Sequence, residues 1–196
     1  MTFTISKKKT IETEFIRKSI HFLIAFCPLL AAWNRLFTLV FLMAGILVYI
    51  FFENLRTKGF YIPLFSAVAA RAGRQRDEGR FVLGPVTLGM GALLALVLYP
   101  PQTAALAIYA LAFGDGFASL VGKTFGRVKP AFLFGKSLEG SLACFTAVFI
   151  ASWRVSHNLF VSAAAALTAA AAEALPLEDF DNIIIPLAVA MAVSLV

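Results

Sequence analysis

Uncharged stretches run through residues 19–34, 36–52, 81–114, 140–153, 155–172 and 182–196, with charge, Gly and Pro gathered between them. The third is too long for one membrane crossing, and Pro100-Pro101-Gln102 divides it in two. Seven apolar helices are therefore predicted. Several fall short of the roughly 20 residues a span prefers, but flanking Arg and Lys side chains can snorkel to the surface. Residues 60–70 are apolar for only eleven positions and contain Pro63, which places them at the interface and not across the bilayer. The expected fold is all-α: a polytopic membrane helix bundle of about seven spans, with residues 1–196 forming one membrane-embedded domain.

Composition agrees. The chain is 60% hydrophobic and 14% charged, with twenty Phe, whereas soluble domains carry about 25% charged residues. The formal charge of +6 raises the question of a nucleic-acid partner, and its distribution answers it. Segments 1–18, 53–80, 123–139 and 173–181 hold five, six, four and zero Lys/Arg, fifteen in all, against only Arg35 and Arg154 in the opposite turns. That is a positive-inside bias, so the N-terminus is expected in the cytoplasm and no nucleic acid is implied. All eleven acids lie in those same inner segments or near the inner ends of spans. The basic residues before the first apolar run resemble a signal peptide, but further spans follow and an uncleaved anchor is expected. Cys27 and Cys144 sit in apolar segments without metal or redox spacing and read as packing residues.

The chemistry concentrates between Asp115 and Gly140. An intramembrane charge costs a few kcal/mol, so an acid flanked by Gly114 and Gly116 in an apolar run points to function. With a helix starting at Thr103, Asp115 lies about 18 Å along it, past the midplane of a core about 30 Å thick. The two glycines suggest a broken helix lining a polar cavity. Glu173 and Asp181 reach a comparable depth, and Asn182 either caps its helix or contacts a ligand. Gly122-Lys123-Thr124 and Gly135-Lys136-Ser137 read as basic turns whose N–H groups approach phosphate. Neither is a P-loop: Phe117 and Pro130 stand where the first glycine is needed, and no βαβ pattern surrounds them. Helix packing through small residues is the bland reading of Gly122 and Gly126.

Other charges have simpler readings. Glu14/Lys18 and Arg17/His21 form i,i+4 pairs of a juxtamembrane cluster. Glu53 and Arg56 read as a surface pair, and His157 as turn chemistry. Arg71, Arg74, Arg76, Asp77, Glu78 and Arg80 read as a solvated loop.

These residues resemble the CTP-dependent lipid-alcohol kinases: dolichol kinase, phytol kinase and a CTP-using diacylglycerol kinase. The pattern of that family is D-x-x-A-x-x-x-G-x-x-x-G, eight residues, then K-K-T/S-x-E-G. The chain matches it at Asp115, Ala118, Gly122, Gly126, Lys136, Ser137, Glu139 and Gly140, and departs at Gly135, which removes one charge. Glu14, Arg17, Lys18 and His21 match a second element, and Glu173, Asp181, Asn182 and Pro186 a third. The resemblance implies transfer of the CTP γ-phosphate to a membrane lipid alcohol with Mg2+, at the cytoplasmic face of a bacterial membrane. The expected roles follow from it. Asp115 is base or metal ligand, and Glu173 and Asp181 are further metal carboxylates. Gly122, Lys123, Gly126, Lys136, Ser137 and Gly140 contact nucleotide. Glu139 holds Lys136 or binds metal, and Arg17, Lys18 and His21 line the same mouth. Asp115, Lys136, Glu139 and Asp181 are the expected catalytic set. A phosphatidate cytidylyltransferase is the nearest alternative, but the late signature of that family is absent. A small transporter is the non-enzyme alternative, and the outer half offers only Arg35, Arg154 and His157 for it.

Overall fold

The computed structural model describes residues 2–72, 77 and 79–196, which are all-helical with no strand among them. Each predicted apolar stretch coincides with a helix. Helix α1 (Thr2–Phe22) passes through a 3-10 turn (Leu23–Phe26) into α2 (Cys27–Trp33), and α3 (Arg35–Thr57) follows. Pro28 explains the tightened turn, since it has no N–H to give and its ring crowds the carbonyl four residues earlier. Asn34 separates α2 from α3 and caps the latter, its Oδ1 accepting from Phe37 N at 2.9 Å.

The short α4 (Pro63–Ala72) opens on Pro63 and rests against α1. Then come α5 (Gly84–Leu98) and α6 (Pro101–Tyr109), the latter running through a π-helical turn (Ala110–Asp115) into α7 (Gly116–Phe125). The chain closes with α8 (Leu138–Ser156), α9 (Leu159–Ala174) and α10 (Asp181–Val193). Among the described residues, four runs are long and apolar enough to cross a membrane: Ile11–Trp33, Arg35–Thr57, Pro101–Phe125 and Leu138–Ser156. α5, α9 and α10 are apolar but shorter.

Two alanine-rich cores hold the bundle. One joins α2, α3, α5 and α6 around Ile46, Ala92, Leu96 and Ile108. The other joins α6 to α8, α9 and α10 around Leu106, Val148, Ala166 and Val189. Small side chains let helix backbones approach closely, the main attraction available where the solvent is itself apolar. The outer surface stays apolar, with Phe41, Leu47, Leu142 and Met191 each about half exposed or more, as a lipid-facing surface requires.

Several expectations change here. Gly114 and Gly116 do not break the helix: the run from Pro101 to Phe125 is continuous through a widened turn. A Cβ on Gly114 would come within 2.8 Å of Val148 Cγ2, and one on Gly116 would enter the Phe22 ring, so both serve close packing. Glu53 and Arg56 are not a surface pair. Glu53 is fully buried, accepts two hydrogen bonds from Arg56 at 2.7 and 2.8 Å, and takes Val82 N at 2.7 Å. This ties the loop before α5 to the end of α3. Of the expected solvated loop, Arg74, Arg76 and Glu78 lie outside the described residues. His157 does terminate α8 in the left-handed region, at φ 49°. Cys27 and Cys144 are both buried and unpaired.

Candidate active site

The central motif lies on one face of a helix and one turn. Asp115, Ala118, Gly122 and Gly126 recur at helical spacing along α7. They meet the start of α8, where Ser137 is the N-cap and accepts from Gly140 N at 3.2 Å. A Cβ on Gly140 would stand 2.8 Å from the Ala118 carbonyl and 3.3 Å from Gly122 Cα. The small-residue reading therefore holds at this seam. Gly122-Lys123-Thr124 is helical, contrary to its reading as a turn. Gly135-Lys136-Ser137 is a turn, with Gly135 at φ 86°.

Beside the seam opens a cavity of about 600 Å³ between α7, the start of α8 and the α9–α10 connection. Lys123, Gly126, Lys136, Ser137 and Gly140 line it together with Asp115, Glu173 and Asp181. These side chains converge as the sequence reading expected. Leu175, Pro176 and Leu177 add an apolar lip, with Ile11 of α1 also lining the opening.

The ionic contacts are specific. Lys136 Nζ donates to Glu173 Oε1 at 2.8 Å and to the Glu173 carbonyl. Glu173 Oε2 is buried with no hydrogen-bond partner. Asp181 has no hydrogen-bond or ion-pair partner among the described residues, although it lines the cavity. Lys123 Nζ pairs with Glu14 Oε2, while Glu14 Oε1 accepts from Arg17 and, at 3.0 Å, from Ser119 Oγ.

Behind Asp115 lies a buried cluster. Lys18 Nζ pairs with Asp115 Oδ2. His21 Nε2 is 3.2 Å from the same oxygen and donates to the Leu111 carbonyl at 3.0 Å. Glu14, Lys18 and His21 are 2%, 2% and 5% exposed. They are not the solvated juxtamembrane cluster expected from their spacing; α1 turns this face onto α7. Oδ2 of Asp115 is thus anchored on this cluster, while the residue also lines the cavity.

Arg17, Lys18 and His21 thus do not line the cavity mouth as expected, and two further expected members stand elsewhere. Glu139 neither holds Lys136 nor lines the cavity: its carboxylate accepts from Arg127 N at 2.9 Å and Val128 N at 3.2 Å, fixing the chain after α7. Asn182 is buried and donates to Thr87 Oγ1 at 3.0 Å and the Gly84 carbonyl at 3.3 Å, joining α10 to α5. Sequence reasoning gave no site role to Glu14, Ser119 or Lys129. Glu14 and Ser119 carry a signal in their helical register with Lys18 and Asp115, and Lys129 only in being a cation beside Gly126.

A hard divalent cation fits this donor set. Mg2+ takes one or two carboxylates and completes its shell with phosphate oxygens and water. The orphaned Glu173 Oε2 is a ready oxygen donor, and Asp115 and Asp181 share its cavity. Among the described residues no group of three or more His, Cys, Asp or Glu would hold a metal ion by itself.

The chain is 28% identical over 187 residues to the phytol kinase of Synechocystis sp., across 91% of this chain and 77% of that protein. It is 27% identical over 157 residues to the probable phytol kinase 1, chloroplastic, of Oryza sativa subsp. japonica, across 71% of this chain and 50% of that protein. No family model matches the chain. No solved structure matches it.

Proposed function

We propose that the protein is a membrane kinase that transfers the γ-phosphoryl group of CTP to the hydroxyl of a lipid alcohol, an isoprenoid alcohol such as phytol first among the candidates. The observation that carries this reading is the cavity where a Gly-Lys-Ser turn faces Asp115, Glu173 and Asp181 at one end of an apolar bundle. The similarity to two phytol kinases supports the acceptor class. CTP as donor rests on the spacing from Asp115 to Gly140. The positive-inside count supports a cytoplasmic face for the cavity, and the resemblance to the lipid-alcohol kinases supports a bacterial cell membrane.

Phosphoryl transfer asks the protein chiefly to position reactants and neutralise charge. Lys136 and Lys123 are the cations for the phosphate chain, and each is held by a carboxylate while it waits, Glu173 and Glu14 respectively. Ser137 Oγ accepts from Gly140 N, which leaves its proton to donate to a phosphate oxygen. The alcohol oxygen forms a bond to the γ-phosphorus as the bond from phosphorus to the bridging oxygen breaks and CDP leaves. Asp115 receives the alcohol proton or serves as a metal ligand. Held by one or two carboxylates among Glu173, Asp181 and Asp115, with phosphate oxygens and water, Mg2+ would supply neutralisation of the phosphate charge.

The test uses purified protein in detergent with Mg2+ and γ-labelled CTP or ATP, offered phytol, a polyprenol and diacylglycerol. Label in a lipid phosphate with CTP preferred supports the reading. CDP-lipid formed from lipid phosphate and CTP, with no label passing to any alcohol, replaces it with cytidylyl transfer.

A further inference from the structure

The connection between α7 and α8 has an unusual composition for a water-exposed loop. Phe125 is 67% exposed, Phe132 70% and Phe134 61%, with Val128 and Leu138 about half exposed. Arg127 and Lys129 are exposed among them. The segment is nevertheless well built. Leu133 is buried, Leu138 N donates to the Val128 carbonyl at 2.9 Å, and Lys136 N donates to the Leu133 carbonyl at 2.9 Å. Glu139 fixes its beginning through the N–H groups of Arg127 and Val128. Phe134 is left-handed, at φ 49° and ψ 39°, a conformation that bulky side chains rarely adopt. The turn's own hydrogen bonds hold this backbone, but the ring is exposed, so internal packing does not account for a large apolar side chain there.

The lipid-facing surfaces of α7 and α8 bracket this segment, through Phe117 and Phe125 before it and Leu138 and Leu142 after it. Aromatic rings interleaved with cations at the end of membrane helices match the headgroup layer, where apolar groups reach the acyl boundary and cations meet anionic phosphates. We propose that residues 125–138 form a membrane-surface seat that binds anionic phospholipid, with Phe132 and Phe134 inserted at the acyl boundary and Arg127 and Lys129 on lipid phosphates. The inference goes beyond the kinase reading and stands without it. If both hold, the seat sets the cavity mouth at headgroup depth, because Gly126, Gly135 and Lys136 belong to both, and a lipid alcohol enters without leaving the membrane.

Depth is measured by tryptophan fluorescence. Phe132→Trp is introduced with Trp33→Phe and Trp153→Phe, which removes the two native tryptophans, and the full chain is reconstituted in phosphatidylcholine vesicles with phosphatidylglycerol. Lipids brominated near the headgroup should quench the emission more than lipids brominated deep in the chain, and aqueous acrylamide should quench weakly. Strong acrylamide quenching without bromolipid quenching overturns the proposal in favour of a solvated loop. Protection from both quenchers overturns it in favour of a contact with a second copy. In a parallel measurement, adding phosphatidylglycerol should raise the thermal midpoint of the native chain. Arg127→Gln with Lys129→Gln should at least halve that rise, and an undiminished rise overturns the lipid assignment. Neither readout needs catalysis, so failure of the kinase assay and failure of the seat are separate results.

Discussion

Lys18 is among the largest fully buried side chains, and its ammonium meets Asp115 Oδ2 with His21 beside it. Removing one member of a buried pair leaves the other uncompensated, at a cost of about 3–5 kcal/mol. Lys18→Met is therefore expected to destabilise by about that much, read by unfolding in detergent. Asp115→Asn keeps an acceptor for Lys18 and should lie at or below about 3 kcal/mol, while still inserting in the membrane. It should nonetheless lose turnover by at least about 100-fold, the range associated with a positioned proton acceptor. The double variant should recover part of the lost stability without recovering turnover. A double variant as unstable as the sum of the singles would show that the two groups do not support each other. Asp115 was legible in the sequence because an acid inside an apolar run has no structural excuse. Its pairing with Lys18 was not, because Lys18 lies 97 positions away and local spacing pairs it with Glu14; only the family resemblance set Lys18 at the same mouth.

At the scale of elements, the seam of α7 against α8 both packs and shapes the site. Gly140→Ala would push a methyl against the Ala118 carbonyl and Gly122 Cα, which are backbone atoms that cannot swing aside. A cost of about 1–3 kcal/mol is expected from such overpacking, together with loss of activity as Lys136 is displaced. Gly45→Ala on α3 meets open space and should cost nothing, which makes it the control. A tolerated Gly140→Ala with native activity would mean the helices part without disturbing the cavity. Glu139 belongs to this scale as well, since it holds the chain after α7 and not a reactant. Glu139→Ala should raise the KM for nucleotide several-fold with kcat retained, whereas Glu173→Gln should lower kcat. Equal loss of kcat in both would return Glu139 to the reacting groups. The motif's glycines were readable as packing or as phosphate loop, and spacing alone does not separate the two. In the structure they pack the seam of α7 against α8, and that packed face borders the cavity.

At the scale of the molecule, the uncharged runs located the apolar helices, while the burial of the charged face of α1 was hidden. Its charged residues looked solvated because the face that buries them belongs to α7, far along the chain. Orientation depends on whether the shorter helices cross. α5 has 15 residues, α9 16 and α10 13, or roughly 20–24 Å at about 1.5 Å per residue, against a core near 30 Å. If α5 crosses, Lys58 before it and Lys129 two crossings later lie on the same side of the membrane. If α9 crosses, His157 and Leu175 lie on opposite sides. Single cysteines at these four positions, with Cys27 and Cys144 replaced by Ala, are then labelled with a membrane-impermeant maleimide in intact bacterial cells. The positive-inside count expects His157→Cys to react and Lys58→Cys, Lys129→Cys and Leu175→Cys to react only after the cells are opened. Labelling of Lys129→Cys in intact cells, with Lys58→Cys protected, would take α5 out of the bilayer. It would also put the lysines of the cavity on the outer face, where no cytoplasmic nucleotide reaches them, and the proposed reaction would fall with the topology.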